Sequence, residues 1–534
     1  MNNSVARASR PRWMTTSTRG RGARATLVCL ILAIFALLTP TLSRAAEATS
    51  LRLATHHSDA LTTDKLFYVY TPPTEDPAER FPVLYVLHGK WGSHADWPEK
   101  GNAEEMARRY RMILVFPDGG QFNWYLNSPV MPECQYETYL TQDLLQYVDA
   151  NFPTIPRREA RGLMGLSMGG HGALLMAARH PDLYGSASSL SGILKLTNHG
   201  ARGEVVDRLG PLDKFPQRWI ENSVWDQAER FQTANVKLLF DCGEDDTKTG
   251  AIADNRQLHE KLMELKVPHI WREHRGTHSW PYWTEHLPDH LSFHQAAMLA
   301  AVEKPEKWFG IYFARLAQFF DENAALTVEP EDGKLRVVLL GSSSVQGMPK
   351  SLFPGDRAGY RYRAFNRGIG ADRLGIGTRG LTKRMEESVF DLKPHVVFIK
   401  NGRNDLGARH GSKTGDPSED RMIEEYTKIV DEIQSRLPEC AIVVCTSPPV
   451  LGKYAHLAPS IIEYNKRLRK LVEEKGLVLL DLHPLLVAED GLLLKPENSA
   501  DGLHLSQAGK EIWAEKIYEE LDRQAARVGI AKAK

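Results

Sequence analysis

The stretch MGLSMGGHG, Met164 to Gly172, sets a serine between glycines two residues to either side, with two more glycines at 170 and 172. An apolar run precedes it and ALLMAARH (Ala173–His180), a helix by pattern, follows it. Glycine–x–serine–x–glycine between a strand and a helix puts Ser167 on a turn so tight that only glycine fits beside it. Such a turn lifts the hydroxyl clear of the sheet. It also leaves the Met168 N–H at a helix N-terminus, where it can bind a developing oxyanion. The competing reading is a glycine-rich turn with a structural serine.

A serine hydroxyl is a weak nucleophile unless a base takes its proton. GTHSWPYW (Gly276–Trp283) supplies His278 just after the strand-like HIWREHRG. His274 lies inside that run and reads as structural, and His171, behind the elbow, as packed or at a pocket rim. A carboxylate must then fix the imidazole tautomer. DCGEDDTK offers Asp241, Asp245 and Asp246 after the run VKLLF, and Asp246 is preferred over Asp245. The order Ser167, Asp246, His278 is that of α/β-hydrolases. YVLHGKWG supplies a second oxyanion donor, the N–H of Lys90, with His88 and Gly89 shaping the turn.

Outward from this site the chain is α/β. Runs such as VLYVL and KLLFD are continuously apolar, as parallel strands covered on both faces are. The pattern breaks near residue 300, at EKPEKWFG and VEPEDGK, and resumes at LRVVLLGSSS. At 534 residues the chain is too long for one ordinary core. We expect a first domain over residues 49–300, a linker over 301–333 and a second α/β domain over 334–534. The two halves share a class but no repeated motif order.

The segments YVLHGKWGSHADW, GLSMGGHGAL, DCGEDD and GTHSWPYW resemble the esterase D family, over roughly residues 50 to 295. This family includes S-formylglutathione hydrolases, feruloyl and acetylxylan esterases, and mycolyltransferases. The resemblance implies an α/β-hydrolase fold and an acyl-enzyme route on carboxylic esters. It also implies that Trp124 and Tyr125, in NWYLNS, touch substrate; aromatic residues that merely pack are the alternative.

In the second half LLGSSSVQG (Leu339–Gly347) follows a buried-looking strand and resembles the first block of SGNH (GDSL-type) hydrolases. Ser343 falls on the nucleophile; Ser342 stands where that family more often has aspartate. NRGIGAD resembles the second block, with the N–H of Ala371 as oxyanion donor where glycine is usual. GRND gives Asn404 as a side-chain oxyanion donor, and DGLH gives Asp501 and His504. The implied fold is a flavodoxin-like, three-layer α/β/α domain.

The N-terminus has no acidic residue before Glu47 and six arginines between Arg7 and Arg24, then TLVCLILAIFALL and the small-residue exit SRAAEA. This reads as a signal peptide over residues 1–48 and implies a periplasmic or extracellular protein without stable membrane association; an uncleaved anchor is the alternative. Lys+Arg and Asp+Glu each total 67, which gives no electrostatic case for nucleic acid. The cysteines lack zinc-ligand spacing, and a Cys134–Cys242 disulfide is left open. No cofactor or metal is called for. Together the resemblances imply an exported serine carboxylesterase with two sites and an acylated saccharide as its natural substrate. Transfer to a sugar hydroxyl, or one active half joined to a non-catalytic carbohydrate-binding half, are the rival readings.

Overall fold

The computed structural model describes residues 51–329, 333–357, 360–375, 380–409 and 418–530. The segment read as a signal peptide lies outside them. The first sheet holds β1 (Leu51–Ser58), β2 (Thr63–Tyr70), β3 (Val83–Leu87), β4 (Ile113–Pro117), β5 (Arg161–Leu166), β6 (Ser186–Leu190), β7 (Lys237–Gly243) and β8 (Ile270–His274). Their order is β1-β2-β4-β3-β5-β6-β7-β8. β1 and β2 pair antiparallel, as do β2 and β4; every later pairing is parallel.

Strands β3 to β6 are buried at every residue, as the continuously apolar runs foretell. Alternate side chains feed two cores. Val83, Tyr85 and Leu87 join Leu174 and Leu258 on one face. Leu84 and Val86 join Leu287 and Leu291, from the helix Trp280–Met298, on the other. Strand β1 was not expected: LRLATHHS is half polar, and it pairs along its length with β2 at the sheet edge.

The stretch expected as a linker contains the helix Lys307–Thr327. Tyr312, Phe313, Leu316, Phe319 and Phe320 form one apolar stripe that closes the second core of the first sheet. Charged and proline-bearing flanks drew attention in the sequence; the 3.6-residue period between them is the stronger signal. From the flank of this stripe Arg315, its guanidinium over the Phe319 ring at 5.0 Å, donates to the carbonyls of Asn366 and Gly368, at 3.0 and 3.1 Å.

The second sheet holds β9 (Leu335–Gly341), β10 (Asp356–Arg357), β11 (Tyr360–Gly368), β12 (Val396–Lys400), β13 (Ala441–Cys445) and β14 (Val478–Leu480), in the order β10-β11-β9-β12-β13-β14. All pairs except β10–β11 are parallel. Helices Glu419–Arg436 and Ala458–Lys475 cover one face through Ile429, Ile433, Ile461 and Leu468. Helix Gln507–Arg527 covers the other through Trp513, Ile517 and Leu521. The chain therefore winds both ways from β9, and the carboxyl end of β9 is the topological switch point where such sheets place ligands. Ser343 sits two residues beyond it. Among the described residues no helix is long and apolar enough to cross a membrane.

Candidate active sites

Ser167 caps the helix Met168–Arg179 with φ 53° and ψ −116°, a strained conformation for a residue with a Cβ. The neighbouring glycines make room for it. A Cβ on Gly165 would meet the carbonyl of Gly169 at 2.5 Å, and one on Gly169 would meet the Leu87 carbonyl at 2.5 Å. The Ser167 amide anchors the turn on the Leu190 carbonyl at 2.9 Å.

His278 Nε2 lies 2.8 Å from Ser167 Oγ, and His278 Nδ1 lies 2.6 Å from Asp246 Oδ2. Ser167 and Asp246 are 8% and 2% exposed. With Nδ1–H donating to the carboxylate, Nε2 is left to accept the serine proton. Thr249 Oγ1 donates to the other Asp246 oxygen at 2.5 Å, and the Trp283 ring meets the His278 imidazole edge-on at 5.0 Å. Of the three candidate carboxylates the structure brings Asp246 to the imidazole. Asp245 is exposed, and Asp241 accepts from His290 Nε2 at 2.9 Å. His171 is buried on the Asn222 carbonyl at 2.8 Å, and burial pushes it down to about 4. His274 stacks on His286, 4.1 Å between ring centroids, and burial likewise pushes it down to about 4.

Met168 is the first residue of its helix, so its N–H has no intrahelical acceptor. Lys90 follows β3 in a braced turn. His88 Nε2 accepts from the Gly119 amide at 2.9 Å, while the Tyr125 hydroxyl donates to the His88 carbonyl at 2.9 Å. The Lys90 ammonium turns away to Glu204, at 2.7 Å. Trp124 and Tyr125, expected to touch substrate, are both fully buried: Tyr125 props the Lys90 turn, and Trp124 packs edge-on against His171 at 5.5 Å. The exposed aromatic at this rim is Trp91, next to Lys90. It is 70% exposed, with φ 67°, and meets Phe122 edge-on at 4.3 Å.

In the second half Ser343 Oγ lies 2.9 Å from His504 Nε2, and His504 Nδ1 lies 2.8 Å from Asp501 Oδ2. Asp501 Oδ1 also accepts the backbone N–H groups of His504 and Leu503, at 2.7 and 2.9 Å. Burial alone would raise this carboxyl, but those hydrogen bonds outweigh it and hold it down to about 2. This relay is more open than the first: the side chains of His504 and Asp501 are 37% and 51% exposed.

Ala371 has φ 60°, the left-handed region, which a Cβ makes costly by about 1–2 kcal/mol. Asn404 is drawn to the same loop, donating through Nδ2 to the Asp372 carbonyl at 2.8 Å. The side chain that organises this loop is Arg384. It pairs with Asp372 at 2.8 Å and donates to the carbonyls of Arg367 and Gly341, both at 3.0 Å. Gln346 Oε1 accepts the Gly370 amide at 2.6 Å. Neither role is legible in the sequence: Arg384 lies outside the motifs, and Gln346, within LLGSSSVQG, meets its partner Gly370 only through the fold. Beneath Ser343, Lys400 and Arg403 donate to Ser344 Oγ, at 3.1 and 2.9 Å.

Residues 58–294 match the family described as putative esterase, and residues 339–512 match the GDSL-like lipase/acylhydrolase family. Each half of the chain resembles a different hydrolase family. The first resembles the esterase D group, the second the GDSL type. S-formylglutathione hydrolase of Mus musculus is 26% identical over 266 residues, covering 45% of this chain and 91% of that protein. Acetyl esterase of Caldicellulosiruptor saccharolyticus is 24% identical over 224 residues, covering 39% and 82%. A solved ferulic acid esterase is 24% identical with a TM-score of 0.40, covering 46% of this chain and 98% of its own. The family matches and curated relatives support a carboxylic ester hydrolase. In the first half Cys134 and Cys242, left open as a disulfide, are both free and buried.

Proposed function

We propose that this chain is an exported serine carboxylesterase with two active sites, acting through acyl-enzyme intermediates on acylated saccharide. The observation that carries the reading is the pair of relays, Ser167–His278–Asp246 and Ser343–His504–Asp501, each closed by hydrogen bonds of 2.6 to 2.9 Å. In each, the imidazole takes the serine proton as Oγ attacks the ester carbonyl, and returns it to the departing alcohol. Water, deprotonated by the same imidazole, then releases the acid. The N–H groups of Met168 and Lys90 hold the oxyanion in the first site. The N–H of Ala371 and the amide of Asn404 hold it in the second. No step calls on a metal or cofactor.

The basic, then apolar leader supports export. A saccharide substrate is supported by Trp91, an exposed indole face beside the Lys90 turn, of the kind on which a sugar ring stacks. Two linked ester-cleaving sites suit a polymer bearing more than one ester, since tethering keeps the second site near a substrate held by the first. A fluorophosphonate probe tests the chemistry directly. Peptide mapping should find the phosphonyl group on both Ser167 and Ser343; labelling of neither removes the proposal. Release of acetate and ferulate from acylated xylan tests the substrate class, and N-terminal sequencing of the mature chain tests export.

A further inference from the structure

We propose that Asp241, His274 and His286 form a binding site for a divalent cation of the zinc class. Asp241 lies in β7, His274 ends β8, and His286 lies in the helix Trp280–Met298. One donor atom from each lies within 4.8 Å of the other two. Two imidazoles and one carboxylate are the mixed nitrogen and oxygen donor set that zinc takes. They are far apart in sequence, at none of the spacings by which zinc sites are read from sequence.

Three features point to a ligand rather than to packing. His274 Nε2 is buried and has no hydrogen-bond partner, an arrangement that costs stability unless something fills it. His286 meets Asp289 through Nδ1, at 3.9 Å, which leaves Nε2 for a cation. Asp241 is already oriented as a ligand: His290 Nε2 donates to one oxygen at 2.9 Å and the Tyr282 hydroxyl to the other at 3.2 Å. Each oxygen keeps a lone pair, and such outer hydrogen bonds are how ligating carboxylates are held. The nearby Arg272 does not compete for the carboxylate, because Asp391 takes its guanidinium. The His274 and His286 rings stand nearly parallel, at 9°, and ligation would tilt their nitrogens toward a common point.

His274 and His286 flank His278 along the chain, and Asp241 stands at the root of the loop that carries Asp246. A cation at this site would therefore tie the bases of both loops together without touching Ser167. The inference does not depend on the esterase reading, and its test uses no substrate.

The full chain, stripped with a chelator and desalted, is dialysed against zinc and its bound metal measured by atomic emission. About one zinc per chain is expected, with the wild type gaining thermal stability on loading. His274→Asn and His286→Asn should each weaken binding by at least about tenfold. His278→Ala should keep it, which separates this site from zinc caught on the Ser167 relay. Zinc binding that is absent from the wild type, or unchanged in both asparagine variants, overturns the proposal. Should those variants fold poorly, cobalt in the wild type decides without them. Intense visible bands of a low-coordinate nitrogen and oxygen site are expected, and the pale spectrum of the hydrated ion overturns the proposal.

Discussion

Arg272 of β8 donates from Nε and Nη2 to the two oxygens of Asp391, at 2.8 and 2.9 Å, and so joins the last strand of the first sheet to the segment ahead of β12 in the second. Both side chains are buried, and Asn323 of the helix Lys307–Thr327 donates to Asp391 Oδ2 at 2.9 Å. A buried pair of this kind is weak evidence of net stabilisation while intact, but removing one partner strands a charge away from water. Arg272→Ala should therefore cost about 3–5 kcal/mol in denaturant unfolding. Calorimetry should show one transition for the wild type and two for the variant. A loss under about 1 kcal/mol, with one transition retained, would mean that the apolar stripe of the helix couples the halves without the ion pair.

The two relays share no residue, so their activities should separate. Ser167→Ala should abolish one ester-cleaving activity and spare the other, and Ser343→Ala should do the reverse. A panel of acetyl and feruloyl esters, assayed with each variant and with the double variant, checks this. If either single change removes every activity while the fold is intact by circular dichroism, the two-site reading fails.

What the sequence disclosed follows from how local each signal is. The elbow is legible because steric need writes glycine at fixed offsets from Ser167. The parallel strands are legible because burial on both faces leaves unbroken apolar runs. The helix Lys307–Thr327 was hidden by its charged flanks, and β1 by a polar face that only its pairing with β2 explains. Arg384, Gln346 and the Asp241 cluster were invisible because their partners lie in other strands and loops. Trp124 and Tyr125 show the converse. Their types suit a pocket wall, but only three dimensions reveal the Tyr125 hydroxyl spent on the His88 carbonyl.

Among the carboxylates near His278, Asp246 alone should matter to turnover. Asp246→Asn keeps the shape but reverses the tautomer preference of His278, and should lower kcat by about 10⁴-fold. Asp245→Asn, at an exposed side chain, should stay near wild type. Thr249→Val removes a single hydrogen bond to Asp246 and should cost about tenfold. Steady-state kinetics on one soluble ester, with the second site silenced by Ser343→Ala, ranks the three; a larger loss for Asp245→Asn would reverse the assignment.

Trp91 should govern substrate choice rather than chemistry. Trp91→Ala should raise KM for an acylated oligosaccharide by about tenfold, the order expected for losing one aromatic stacking contact. Hydrolysis of a small aryl acetate should be unchanged. Equal effects on both esters would show that the indole supports the Lys90 turn rather than a sugar.

Glu387 should give the protein a pH-dependent contribution to stability. Burial pushes its carboxyl up to about 8, helped by the nearby carboxylates of Asp289 and Asp391 and opposed by Arg272, and its Oε1 has no hydrogen-bond partner. The unfolded chain releases this proton near the ordinary value of 4.5, while the folded protein keeps it up to about 8. Between those values the folded state binds more protons, so stability falls as pH rises, by about 1.4 kcal/mol per unit at the steepest. Below that window the residue contributes no pH dependence, and above it the loss is complete. Glu387→Gln removes the titration and keeps the shape. Urea unfolding at about pH 5 and about pH 8.5 should show the variant gaining on the wild type by a few kcal/mol at the higher pH. A difference between the two proteins that stays constant with pH would show that Glu387 ionises freely in the folded state.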